Sequence, residues 1–307
     1  MKHYNSYNEY LKTKYGQKVY KLSISSGLSC PNRDGTLGTR GCIFCSEGGS
    51  GEFAASCRLS VTEQLEAAKE RVKAKTKDEK YIAYFQPFSN TYGDIKYLRK
   101  IIYEAIKPDY IVGLSIATRP DCLEQEKLEL LKEINSVKPV TVELGLQTIH
   151  KSTAEYIRRG YELEVYDEAV KKLRDAGIEV VTHIIIGLPY ETEEMILDTV
   201  RYVGQRTDGI KLQLLHVLKN TDLEKKYSQG RFEVLTLERY TDILCKAIEL
   251  LPENVIVHRI TGDGDKKLLL APLWSADKKR VLNYINREMD KRGIIQGSKH
   301  NIENILK

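Results

Sequence analysis

Residues 140–186, VTVELGLQTIHKSTAEYIRRGYELEVYDEAVKKLRDAGIEVVTHIII, read as strand, helix, strand. The stretches at 140–147 and 178–186 are apolar runs rich in β-branched side chains, as a buried strand requires. Between them, 164–176 is amphipathic and charged, and Gly177 follows EAVKKLRDA at the position where a helix stop is expected. A strand, a crossover helix and a second strand predict parallel pairing with a right-handed connection.

The same alternation extends in both directions. Further apolar runs lie at about 18–25, 81–86, 110–116 and 209–217, separated by amphipathic stretches at about 61–77, 94–107, 124–136 and 191–205. Ser60 and Glu63 stand at capping-box spacing before the first of these helices. Six such units predict an α/β fold, a partial (β/α)6 TIM-type barrel, open rather than closed. A doubly wound flat sheet has the same spacing, and in both the functional groups belong at the C-terminal ends of the strands. Residues 1–17 read as a helical lead-in, 18–220 as the core and 221–307 as a C-terminal extension. That extension carries helical patterns near 221–228, 236–251 and 276–292 and a short apolar run at 255–257.

Composition bounds the function classes. A chain of 307 residues, 41% hydrophobic and 30% charged, has the balance of a soluble globular protein and excludes wholesale disorder. The net charge of +5 permits a nucleic-acid partner without demanding one. The polar, Tyr-rich N-terminus lacks the apolar segment of a signal peptide, and no run approaches the ~18 apolar residues of a membrane span. These features predict a cytoplasmic protein with no membrane partner. In that compartment closely spaced cysteines point to metal or redox chemistry rather than disulfides.

Three of the six cysteines fall in SGLSCPNRDGTLGTRGCIFCSEGG: eleven residues separate Cys30 from Cys42, and two separate Cys42 from Cys45. The segment between is rich in turn formers, Pro31, Asn32, Gly35, Gly38 and Gly41, so it should be an irregular loop able to wrap a bulky group. Three thiolates on a 4Fe–4S cluster leave one iron open to a small molecule, whereas four close it. A structural zinc site needs a fourth ligand, for which Cys57 is the nearby candidate. A redox pair would use Cys42 and Cys45 alone. Ser46, Gly48, Gly49 and Gly51 follow, where backbone can approach a ligand closely. Cys122 and Cys245 stand alone in the sequence, as inert packing cysteines do.

The ordered series of the Cys loop, YFQPFSNTY, IATRPDCL, ELGLQT, HIIIGLPYET and IKLQLLHVLKNT resembles the radical S-adenosylmethionine (SAM) superfamily on its Elongator-catalytic-subunit/MiaB/HemN-like side. The long Cys loop and HRITGDGDKKLLLAPLWSADK resemble its YhcC/YtqA-type subfamily more narrowly. The resemblance implies a six-unit partial barrel with a 4Fe–4S cluster at its open end. SAM binds the unique iron there, and reductive cleavage yields a 5′-deoxyadenosyl radical that abstracts hydrogen from substrate. Such chemistry needs a dry, enclosed site and an electron donor such as a flavodoxin or ferredoxin.

Carried over by position, Cys30, Cys42 and Cys45 match the cluster ligands, and Phe44 the aromatic near adenine. Glu143, Gln147 and Arg159 match SAM contacts, the guanidinium suited to the SAM carboxylate. His183 falls where relatives carry a ribose-binding acid, and Gly187 where backbone approaches adenine. The Gly-Gly-Glu that holds the SAM amino group in many members is replaced by FQPFSNT, leaving Gln86, Ser89 or Thr91 for that contact. The subfamily resemblance also implies tRNA as partner, with 5-carboxymethylaminomethyluridine at the wobble position converted to 5-aminomethyluridine. Arg119 and Arg259 are candidates to orient the substrate carboxylate, and Asp263 and Asp265 for proton relay. A basic stretch, Lys278, Lys279, Arg280, Arg287, Lys291, Arg292 and Lys299, suits phosphate contact, though a solvated helix face reads the same way. A radical SAM enzyme acting on a small metabolite or peptide, and a non-catalytic cluster or zinc RNA-binding protein, are the competing classes.

Overall fold

The computed structural model describes residues 2–49, 51, 54–73, 79–262 and 264–300. Seven parallel strands make one curled sheet in the order β1 (Tyr20–Ile24), β2 (Tyr81–Phe85), β3 (Ile111–Thr118), β4 (Val140–Gln147), β5 (Glu179–Ile186), β6 (Gly209–Leu214) and β8 (Ile256–Arg259). A two-stranded antiparallel ribbon, β7 (Val217–Leu218) with β9 (Leu269–Ala271), stands apart. The helices, in chain order, are α1 (Tyr7–Tyr15), α2 (Val61–Lys73), α3 (Ile95–Ile106), α4 (Gln125–Asn135), α5 (Lys151–Tyr156), α6 (Leu163–Asp175), α7 (Glu193–Gly204), α8 (Asp222–Ser228), α9 (Leu237–Leu250) and α10 (Lys278–Arg292). The expected open barrel is therefore present, with a seventh strand supplied by the run read at 255–257. The helix expected over 61–77 is α2 to Lys73, and residues 74–78 lie outside the described residues.

Strand alternation sorts the side chains. Leu22 and Ile24, Ala83 and Phe85, Leu114 and Ile116, Val142 and Leu144, Ile184 and Ile186, Ile210 and Leu212 face the helix layer in one continuous apolar core. The alternate positions carry Lys21, Tyr84, Ser115, Glu143, His183 and Lys211, whose side chains meet one another inside the curl. Each strand thus spends one face on the hydrophobic effect and the other on a polar interior. Helix α1 lies against β8: Tyr7 stacks on His258 at 3.8 Å between ring centroids, and Tyr10 donates to Glu179.

The run expected as one strand over 209–217 divides. Leu215 N still bonds Ile186 O at 3.0 Å, but Val217 and Leu218 pair with β9 instead. At the break His216 packs beneath the loop after β8. A Cβ on Gly262 would meet its Cε1 at 2.5 Å, and one on Gly264 its Nδ1 at 2.6 Å. Glycine in the GDGD segment is thus required for this approach. Asp263, between the two, lies outside the described residues.

Candidate active site

The loop after β1 folds the three cysteines inward by its own backbone. Cys45 N donates to Cys42 O at 3.0 Å, Arg33 N to Cys30 O at 2.8 Å, and Gly41 N to Asn32 O at 2.7 Å, which ties the two ends together. The guanidinium of Arg33 donates to Cys45 O (3.0 Å) and Ser46 O (2.6 Å). Asn32 Nδ2 donates to Arg158 O at 2.7 Å and lies 3.3 Å from Cys42 Sγ, fastening the loop to the segment after β4. That contact needs Gly160, whose φ is +82° and whose missing Cβ would sit 2.9 Å from Asn32 Oδ1. Burial, with the Cys45 thiol adding to it, pushes the Cys42 thiol up to about 12 against the pull of Arg119 and Asn32. At neutral pH the thiol is therefore protonated, and a metal bound there would have to displace that proton.

These thiols line a cavity of about 240 Å³ within the curl of the sheet. Phe44, Gln86, Arg119, Glu143, Gln147, Arg159, His183 and Arg259 line it with them; Gly187 does not. Gly187 instead has φ +94° and packs near Leu235. Cys57 is exposed and outside the lining, while Cys122 and Cys245 are buried. No three His, Cys, Asp or Glu side chains among the described residues converge at the spacing of a single metal ion.

Each lining residue has a definite state. Glu143 is fully buried and both its oxygens are engaged: Oε1 by Lys21 and by Ser115 Oγ (2.7 Å), Oε2 by Lys211, Tyr84 OH (3.0 Å) and His183 Nε2 (2.7 Å). Burial works to raise its pKa, but Lys21, Lys211 and His183 outweigh it and hold the carboxyl well below its ordinary range. His183 is pushed down to about 4 by burial and the Lys211 charge, so the ring is neutral at pH 7. A carboxylate only accepts, so His183 Nε2 carries the proton and Nδ1 is an acceptor, suited to a ligand hydroxyl. Arg159 is buried and donates to Thr148 O (2.6 Å) and Tyr161 O (2.9 Å) while stacking on the Tyr161 ring. The fork of Arg119 is filled by Asp121, and its remaining nitrogen donates to Arg159 O at 2.7 Å. Phe44 both lines the cavity and packs on an apolar cluster containing Ile43, Ile157 and Leu188. Ser89 lines the cavity, whereas Thr91 is turned to Thr118 and Cys122 O.

Gln147 differs from the rest. It ends β4 at φ +71°, an uncommon conformation for a side chain of its size, and its Oε1 is buried with no hydrogen-bond partner.

The sequence profile of the radical SAM superfamily matches residues 35–203, and that of the radical SAM C-terminal domain matches 207–291. This chain belongs to the radical SAM superfamily. It is 44% identical to the uncharacterized protein YtqA of Bacillus subtilis over 96% of this chain and 92% of that protein. It is 28% identical to the tRNA uridine(34) acetyltransferase of Methanocaldococcus jannaschii, over 60% of this chain but 34% of that protein. Elp3 of Methanocaldococcus infernus, in a structure with its N-terminus deleted, shares the fold, with a TM-score of 0.71 at 19% identity over 91% of this chain and 64% of that chain.

Membership in the radical SAM superfamily implies a 4Fe–4S cluster and SAM, and the site fits both. Three thiols and an unsatisfied buried amide oxygen border one cavity, thiols being the donors that hold iron–sulfur clusters. Among the described residues no helix is long and apolar enough to cross a membrane. Lys21, Tyr84, Ser115 and Lys211, which with His183 surround Glu143, carry no motif. Their signal is a polar residue at alternate positions of an apolar strand, as in GIKLQL, and it reads as a solvent face until the sheet curls.

Proposed function

We propose that this radical SAM enzyme acts on tRNA, removing the carboxymethyl part of 5-carboxymethylaminomethyluridine at the wobble position to leave 5-aminomethyluridine. The observation that carries this reading is a cavity in which three thiols share walls with a cationic floor. The relative whose name specifies uridine 34 of tRNA supports the substrate class.

In this reading Cys30, Cys42 and Cys45 hold the cluster, and Gln147 Oε1 accepts from bound SAM. His183 Nδ1 accepts from a ribose hydroxyl, and Gln86 or Ser89 serves the amino group. Phe44 lies beside adenine. Bound there, the reduced cluster and SAM supply one-electron cleavage and a carbon radical able to take a hydrogen atom from the glycyl Cα. The substrate loses two electrons in becoming an imine, matched by the two that turn SAM into methionine and 5′-deoxyadenosine. Water then adds to the imine, and the C–N bond breaks to give glyoxylate and the amine. Arg259 orients the substrate carboxylate, while Arg119, already gripped by Asp121, braces the wall. Arg159 holds the turn after β4 around SAM. Lys279, Arg280 and Lys291, all exposed on α10, meet the phosphate backbone.

The test is nucleoside mass spectrometry of undermodified tRNA after anaerobic incubation with the reconstituted enzyme, dithionite and SAM. The reading requires 5-aminomethyluridine and glyoxylate in equal amounts. SAM cleavage with an unchanged wobble nucleoside would move the substrate to a small metabolite or peptide.

A further inference from the structure

The loop after β5 carries a tyrosine in a conformation that suits glycine. Tyr190 sits at φ +70°, in the left-handed region that bulky side chains rarely enter, and it is 64% exposed. So exposed a ring buries little apolar surface to offset the strain. The Tyr190 ring meets that of Tyr156, at the end of α5, edge to face, with centroids 5.2 Å apart and planes at 79°. Lys226 Nζ of α8 stands 4.7 Å from the centroid of the Tyr156 ring. Tyr190 OH reaches Arg231 O at 3.4 Å, which closes the group against the segment after α8.

This group borders the cavity. Ile157, next to Tyr156, lines it, as does Ile185 of β5, and both belong to the apolar cluster on which Tyr156 packs. Helix α8 also carries Asp222, on whose carboxylate Arg40, Arg158 and Lys225 converge. Arg40 and Lys225 are exposed. An exposed ring braced by a second, with a cation over that second ring and further cations beside it, matches a single strand of RNA. The ring takes the face of an unpaired base, and the cations take the backbone.

We propose that Tyr190, braced by Tyr156, stacks on an unpaired base next to the uridine that enters the cavity, with Lys226 on the adjoining phosphate. The proposal rests on the tRNA reading above and adds to it the surface that holds the strand.

The experiment uses the reconstituted holoenzyme reduced with dithionite, with undermodified tRNA as substrate and a single-stranded RNA of the anticodon-loop sequence as binding probe. Tyr190→Ala should raise the KM for tRNA about 5- to 150-fold, the range of one base stacked on an aromatic ring. Tyr190→Phe keeps the ring and should stay within about 2-fold of wild type. Tyr190→Gly suits the positive φ, so it should fold as wild type does and still lose tRNA as the alanine variant does. A parallel measurement reads Tyr190→Trp fluorescence against Trp274, the single native tryptophan, and the RNA probe should quench it.

If tRNA is turned over and Tyr190→Ala and Tyr190→Gly keep the wild-type KM, the platform is wrong and the tRNA reading stands. If no tRNA reacts but the RNA probe quenches Tyr190→Trp, and Lys226→Ala weakens that quenching, the platform stands and the wobble-uridine reading falls. Absence of both turnover and quenching overturns the platform. A loss in Tyr190→Ala that is seen with flavodoxin as reductant and vanishes with dithionite would assign this face to a protein electron donor and overturn the platform as well.

Discussion

Asp121 grips the guanidinium of Arg119 with both carboxylate oxygens, at 2.9 and 2.6 Å. A bidentate pair of this kind satisfies the fork that would otherwise take a ligand carboxylate. Arg119 also donates to the carbonyl of Arg159, so the pair joins the end of β3 to the turn that follows α5.

Arg119→Ala is therefore expected to act on stability and site order. Removing one partner of a largely buried pair costs roughly 3–5 kcal/mol, discounted to about 2–3 because Asp121 is partly exposed. Urea denaturation reads this loss. The KM for the tRNA substrate should stay near its wild-type value in Arg119→Ala, and a rise of about tenfold or more would return Arg119 to direct substrate contact.

Glu143 gives a pH signature. Its folded pKa lies well below the ordinary 4.5, so its contribution is fully present above pH ~4.5 and lost as pH falls through the folded value. Lys211, pushed down to about 7, works at the other end: between pH ~7 and ~10.5 the unfolded chain holds a proton that the folded chain has released, so stability rises with pH there. Glu143→Gln leaves two ammonium groups without their shared counter-charge. It should cost about 3–5 kcal/mol at pH 6 and clearly less at pH 9, where Lys211 is neutral. Denaturation midpoints at the two pH values check this, and an equal loss at both would contradict the network.

Gly160 and Gly177 make a controlled pair, both in the left-handed region at +82° and +71°. An added Cβ at Gly177 meets nothing within 4 Å, whereas at Gly160 it meets Asn32, the residue against Cys42. Gly177→Ala should cost about 1 kcal/mol and leave iron content intact. Gly160→Ala should cost more and lower the iron and sulfide retained per chain after reconstitution. Equal iron content in the two variants would detach Asn32 from cluster binding.

Much of this architecture is legible in the sequence because local patterns fix it. The run at 140–147 is β4 residue for residue, and Gly177 ends the α6 region where the helix-stop rule puts it. Strand β8 was not separable from the tail because four residues carry too little periodicity, and its partner β6 lies more than forty residues earlier. The Cys loop was legible because spacing and turn formers are local. The ring of partners around Glu143 was not, because Lys21, Tyr84, Ser115 and Lys211 come from four different strands that converge only when the sheet curls. Likewise nothing in TRPD tells that Asp121 rather than a ligand fills the fork of Arg119.

The most direct measurement of the central claim is anaerobic quantification of 5′-deoxyadenosine from reconstituted, reduced protein and SAM, with and without undermodified tRNA. Cys57→Ala should match wild type, and Cys30→Ala, Cys42→Ala and Cys45→Ala should each fall to background. The account predicts deoxyadenosine that rises several-fold with tRNA and depends on all three cysteines. Protein that binds zinc, shows no cluster absorbance and leaves SAM intact would contradict it.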